Sequence, residues 1–132
     1  MPRLPIATLA LTLGLATACG SSSTDPTPAP EPGDIAIVKG ASLVTTAAFS
    51  PNPKQVSLGG AAAASVRWIN TDGGGGYGGA AVVHQMASDN QAFATSPPLG
   101  SGATYSVSLA AGTYHYHCAI HPNMVGTITV GP

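Results

Sequence analysis

In Ala103-Thr-Tyr-Ser-Val-Ser-Leu-Ala-Ala-Gly-Thr-Tyr-His-Tyr-His-Cys-Ala-Ile-His-Pro-Asn-Met124, two alternating runs meet at a tight turn and lead into a short loop. Tyr105, Val107 and Leu109 share one parity in the first run, and Tyr114, Tyr116 and Cys118 share one in the second. Side chains two apart on a strand point to the same face. Each run therefore offers a continuous apolar face, and Ala111-Gly112 supplies the turn that predicts a β-hairpin. With the tyrosines packed inward, the Cys118 thiol arrives at the rim of the core, while His115 and His117 look outward.

The same pattern recurs on either side. Alternation bounded by glycine and proline predicts strands at 35–38, 43–49, 55–58, 64–70, 80–85, 104–109, 112–118 and 125–130. No stretch sustains a 3.6-residue period. The expectation is an all-β domain, a Greek-key β-sandwich or barrel of about eight short strands. Trp68, between Val66 and Ile69 on a central strand, is expected in the core. Residues 71–83 read Thr-Asp-Gly-Gly-Gly-Gly-Tyr-Gly-Gly-Ala-Ala-Val-Val. No lysine follows the glycines and no helix starts there, so a phosphate-cradling loop is excluded and a flexible insertion is expected.

Residues 34–132 suit one small domain with one modest core. Its charged residues, Asp34, Lys39, Lys54, Arg67, Asp72 and Asp89, sum to zero. That leaves no basic surface for nucleic acid and no acidic patch to steer a cationic partner. A monomer is expected.

Ahead of the domain, Arg3 is followed by an apolar stretch over residues 6–16 and then Ala16-Thr17-Ala18-Cys19. This predicts an export signal over residues 1–18, since the apolar stretch falls short of the ~20 residues that span a bilayer as a helix. A small residue before Cys19 resembles the lipobox of bacterial lipoproteins, which implies an acylated Cys19 that holds the protein to a membrane. Ala16-Thr17-Ala18 equally suits ordinary cleavage, so plain secretion stays open. Residues 20–33, GSSSTDPTPAPEPG, are too polar and proline-rich to bury a core and read as a tether. Extended at ~3.1 Å per residue, it reaches at most about 40 Å. The expected location is the periplasmic or cell-surface side of a membrane.

Cys118, His121 and Met124 stand three residues apart, a thiolate, an imidazole and a thioether on one loop. These are the donors required by a copper site that shuttles between Cu(I) and Cu(II). His84 is the single histidine outside the C-terminal cluster and is the candidate fourth donor. Cys118 is also the single cysteine of the domain, which excludes an internal disulfide and gives a lone thiol in an oxidising compartment a reason to exist as a metal ligand.

Over residues 105–130 the chain resembles the cupredoxins, the small blue copper proteins, in their plastocyanin and amicyanin branch. The Cys-x2-His-x2-Met spacing with Pro122 after the histidine is most similar to amicyanin. Val66-Arg-Trp-Ile-Asn-Thr-Asp72 resembles the family's strand leading to its first histidine ligand. The resemblance implies one type I copper per domain, held in a trigonal set by His84, Cys118 and His121 with Met124 as a weak axial ligand that tunes the potential. It implies that redox partners dock near His121 and that Pro122 stiffens the loop. Asn70 and His84 stand fourteen residues apart, a longer spacing than in related members. Gln85 occupies the position from which the family commonly bonds across to the cysteine loop.

Other classes fit the residues less well. A structural zinc module of Cys118 and three histidines fails, because His115 and His117 face away from Cys118 on a regular strand. These two are expected to be exposed polar residues, and Met86 is expected to pack. Multicopper oxidases need further histidines beside the cysteine, where this chain has Ala119, and a binuclear copper centre needs a second cysteine. A hydrolytic triad lacks an acid to orient His121. An electron carrier is expected rather than an enzyme, with a copper chaperone or storage protein as the alternative.

Overall fold

A computed structural model describes residues 28–73 and 81–132. The expected leader, Cys19 and most of the glycine-rich segment lie outside these residues. Among these residues eight strands follow one another: β1 (Ile35–Ile37), β2 (Phe49–Ser50), β3 (Lys54–Ser57), β4 (Ala64–Asn70), β5 (Met86–Ser88), β6 (Thr104–Leu109), β7 (Gly112–Cys118) and β8 (Val125–Gly131). They form two four-stranded sheets, in the orders β2-β1-β4-β6 and β3-β8-β7-β5. The parallel pairs β1–β4 and β3–β8 give both sheets mixed character. The all-β sandwich expected from the alternation is the observed architecture.

Apolar faces from both sheets meet in one core around Trp68, which is fully buried. Tyr105 stacks on the indole from the neighbouring β6, with centroids 5.9 Å apart, and Tyr116 meets it edge-on from β7 at 5.2 Å. Phe49 packs on the other side of Tyr116 at 4.9 Å. The inward parity of Tyr116 and Cys118 is as expected, with Tyr114 half-buried and His115 exposed. Gly126 lies opposite Tyr116 in the β7–β8 ladder, and a Cβ there would run into the tyrosine ring. Midway along β4, Arg67 donates two hydrogen bonds to Asp34, at 2.7 and 2.8 Å. That guanidinium holds the Asp34 carboxyl below its usual range against the opposing effect of burial.

Three expectations need correction. The turn after Leu109 does not close a hairpin: β6 pairs with β4 while β7 pairs with β8 and β5, so the chain crosses from one sheet to the other. Alternation looks the same for two paired strands and for two strands that face each other across a sandwich. Residues 43–49 are not a strand but two short 3-10 turns, Ala41–Leu43 and Thr46–Ala48, followed by β2. Leu43 and Val44 lie exposed there, so their β propensity has no sheet surface to satisfy. Finally, the strand expected at 80–85 begins later, as β5, and His84 stands before it in an isolated bridge with Leu99.

Candidate metal centre

Cys118 ends β7, fully buried, and opposite it in the ladder is Met86, which packs in the core as expected. Beyond Cys118 the chain turns back on itself. The Met124 N–H donates to the His121 carbonyl at 2.9 Å and the Cys118 N–H donates to the Met124 carbonyl at 3.0 Å. Those two bonds close the loop between β7 and β8, bury Met124, and leave His121 half-buried with Ile120 and Pro122 exposed beside it.

His84 reaches the same place from another part of the chain. Its N–H and carbonyl both pair with Leu99, at 3.1 and 2.7 Å. Asn70, fully buried at the end of β4, joins this bridge to the sheet: its side-chain amide donates to the Val82 and Leu99 carbonyls, each at 2.8 Å, and its oxygen accepts the Asp72 N–H at 2.9 Å. One amide thus ties three backbone segments together around His84. The Val82 N–H also donates to the Asp72 carbonyl at 3.3 Å, so the glycine-rich segment is pinched at its base.

The side chains converge. His84 Nδ1 lies 3.8 Å and His121 Nδ1 3.7 Å from Cys118 Sγ. The potential ligand atoms of His84, Cys118 and His121 all fall within 4.8 Å of one another, and these three make the sole such group among the described residues. The imidazole rings of His84 and His121 are tilted by 58° with centroids 5.1 Å apart. One sulfur and two nitrogens that close together enclose a space suited to a small, soft-to-borderline cation, and His84, Cys118 and His121 form a candidate type I copper site.

Its electrostatics favour an anionic sulfur. Burial raises the Cys118 thiol, but the hydrogen bond with His84 and backbone N–H groups, that of Gln85 at 3.4 Å foremost, outweigh it and bring the thiol down to about 6. Burial likewise opposes charge on His84, yet Cys118 and Asp72 together raise it. Asp72, itself buried, lies 3.2 Å from His84 Nε2, the nitrogen on the far side of the ring from Cys118.

Some expected contacts take a different form. Gln85 does link to the cysteine loop, but through its backbone: its N–H reaches Cys118 Sγ and its carbonyl accepts the Ala119 N–H at 2.7 Å. Its side chain instead donates to the Ser96 carbonyl at 2.9 Å. His115 and His117 stand apart from the centre, His115 Nδ1 3.1 Å from Thr127 Oγ1 and His117 Nδ1 2.6 Å from Asp89 Oδ1. The sequence alone gives Asn70 and Asp72 no part in the site. Their signal was present in the segment Asn70-Thr71-Asp72, two short polar side chains where a hydrophobic strand ends.

Neither family models nor curated proteins match the chain. Among solved structures, a purple cupredoxin from Nitrosopumilus maritimus is 30% identical over 74% of this chain and 98% of its own length, with a TM-score of 0.59. The chain belongs to the cupredoxins. The same fold is found in an oxidised amicyanin variant, 21% identical over 77% of this chain and 85% of that one, with a TM-score of 0.54. A copper-containing nitrite reductase from Thermus scotoductus shares it at 24% identity and TM-score 0.53, covering 96% of this cupredoxin and 25% of that enzyme.

Proposed function

We propose that this cupredoxin is an extracytoplasmic electron carrier, not an enzyme, which holds one type I copper on His84, Cys118 and His121 with Met124 as a weak axial ligand. The observation that carries this reading is the convergence of one thiol and two imidazoles, drawn from two distant parts of the chain. When bound, copper supplies a one-electron couple between Cu(I) and Cu(II).

The chain's own residues do the rest. The depressed thiol of Cys118 offers a thiolate near neutral pH, and its complete burial keeps water and foreign thiols away. His121 lies partly open, with Ile120 46% exposed next to it, which supports docking of redox partner proteins over this edge. Cys19 would carry a lipid that keeps the domain at a membrane surface. A chaperone or storage role is less well supported, because two of the three clustered donors, Cys118 and His84, are fully buried and cannot reach a recipient's ligands without opening the site.

Adding Cu(II) to the purified protein is expected to give one bound copper and an intense thiolate-to-copper absorption band in the visible. Cys118→Ala is expected to abolish the band. A colourless protein that retains only zinc would sink the reading.

A further inference from the structure

We infer that Asp72 is a positioning residue that selects the tautomer of His84, presenting the Nδ1 lone pair to the metal. The inference deepens the copper reading and rests on it. Asp72 is almost completely buried and both of its carboxylate oxygens are engaged. The Gly40 N–H donates to Oδ1 at 3.0 Å, and His84 Nε2 lies 3.2 Å from Oδ2. The carboxylate is also fixed from its own backbone, whose N–H is held by Asn70 Oδ1 at 2.9 Å and whose neighbour Thr71 donates to the Ile37 carbonyl at 3.0 Å.

A carboxylate oxygen can only accept, so the nitrogen facing it must carry the proton. With Nε2–H donated to Asp72, a neutral His84 has its lone pair on Nδ1, the atom 3.8 Å from Cys118 Sγ. A histidine ligand whose second ring nitrogen donates to a carboxylate is held in both orientation and tautomer. Here the anchor on Gly40 adds a constraint. The Gly40 N–H is a fixed donor, so an amide at position 72 must turn its oxygen toward Gly40 and its NH2 toward His84. Asp72→Asn would then place a donor against Nε2, move the ring proton to Nδ1, and aim an N–H where the metal should be.

This gives an ordering that a purely structural role does not. The isosteric Asp72→Asn should harm copper binding more than Asp72→Ala, which removes the acceptor without supplying a donor. Loss of a partner of this kind typically costs 10- to 100-fold in metal affinity, and Asp72→Asn is expected at the upper end of that range, Asp72→Ala at the lower.

The decisive measurement is the 15N NMR signature of the neutral His84 imidazole in copper-free Cys118→Ala protein, where no thiolate competes for the ring proton, with Asp72 intact and with Asp72→Asn, alongside copper titrations of the wild type, Asp72→Asn and Asp72→Ala. With Asp72 intact the ring should show Nε2–H, and with Asp72→Asn it should show Nδ1–H. An Nδ1–H tautomer with Asp72 intact, an unchanged tautomer with Asp72→Asn, or an affinity loss in Asp72→Ala as large as in Asp72→Asn would overturn the inference. Should the wild type take up no copper, the copper reading falls, while the copper-free spectra still decide which proton Asp72 holds.

Discussion

Two regions bring donors to the centre, and they do so by opposite means. The loop from Cys118 to Met124 is local: a strand end, a turn and two backbone hydrogen bonds place its side chains within seven residues. The segment that delivers His84 is long and glycine-rich, and its described ends are tied to residues distant in sequence, with Asn70 binding Val82 and Leu99 and Asp72 binding Gly40. A metal site can thus be half written into a loop's spacing and half into a clamp. Damage to the two halves should differ in kind.

The largest effect is expected on the local side. Met124 is completely buried, and Met124→Ala should cost about 2–5 kcal/mol of stability in urea unfolding. Met124→Leu keeps the volume and should cost less than about 1.5 kcal/mol. If the sulfur is an axial ligand, however, the leucine variant should still shift the reduction potential in voltammetry; an unchanged potential would reduce Met124 to core packing.

Breaking the clamp comes next. Asn70→Ala leaves the Val82 carbonyl and the Asp72 N–H without this partner and takes one of two donors from the Leu99 carbonyl, and should cost on the order of 3 kcal/mol. Copper affinity should fall with it because His84 loses its support, whereas the Cys118 loop should keep its native amide shifts. Changes spread equally over both regions would refute the separation between them.

The pH response joins the two halves, since His84 and Cys118 face each other. In copper-free protein the ultraviolet absorbance of the thiolate should titrate near 6 rather than at the ordinary 9.0. A depressed acid stabilises the fold fully above its ordinary value and loses that contribution as the pH falls through the folded one. Stability from this source is therefore lost on acidification through about 6. His84→Phe should return the thiol upward, and a midpoint that stays near 6 would assign the depression to backbone N–H groups alone.

The smallest effect is expected from shortening the glycine-rich segment. Its base is already closed by the hydrogen bond from Val82 to Asp72, and closure entropy changes only logarithmically with loop length. Deleting residues 74–79 should leave the visible spectrum of the copper form intact. Loss of colour would mean that the segment itself, and not the clamp, positions His84.

How much of this was legible beforehand follows the same division. Short-range alternation exposed six of the strands nearly to the residue, because period-two burial is a property of the strand itself. It failed for residues 43–49, where β propensity found no sheet, and for the turn after Leu109, where two faces of a sandwich mimic a hairpin. In the centre, Cys118 and His121 were marked by their spacing, and His84 by being the one histidine left over. The backbone route of Gln85 to the cysteine sulfur had no side-chain signature to read.

By itself the sequence determined an all-β domain, a thiol at the end of a tyrosine-bearing strand, and a loop with soft donors at fixed intervals. All of these depend on neighbours a few residues apart, whose geometry the chain's own stereochemistry dictates. Only the tertiary structure decided that β6 and β7 belong to different sheets, that Asn70 ties His84 to the end of β4, and that Asp72 is buried against the far nitrogen of that histidine. Such contacts form between segments that meet only once the core has closed, when buried polar groups must find partners and the fold dictates which are within reach.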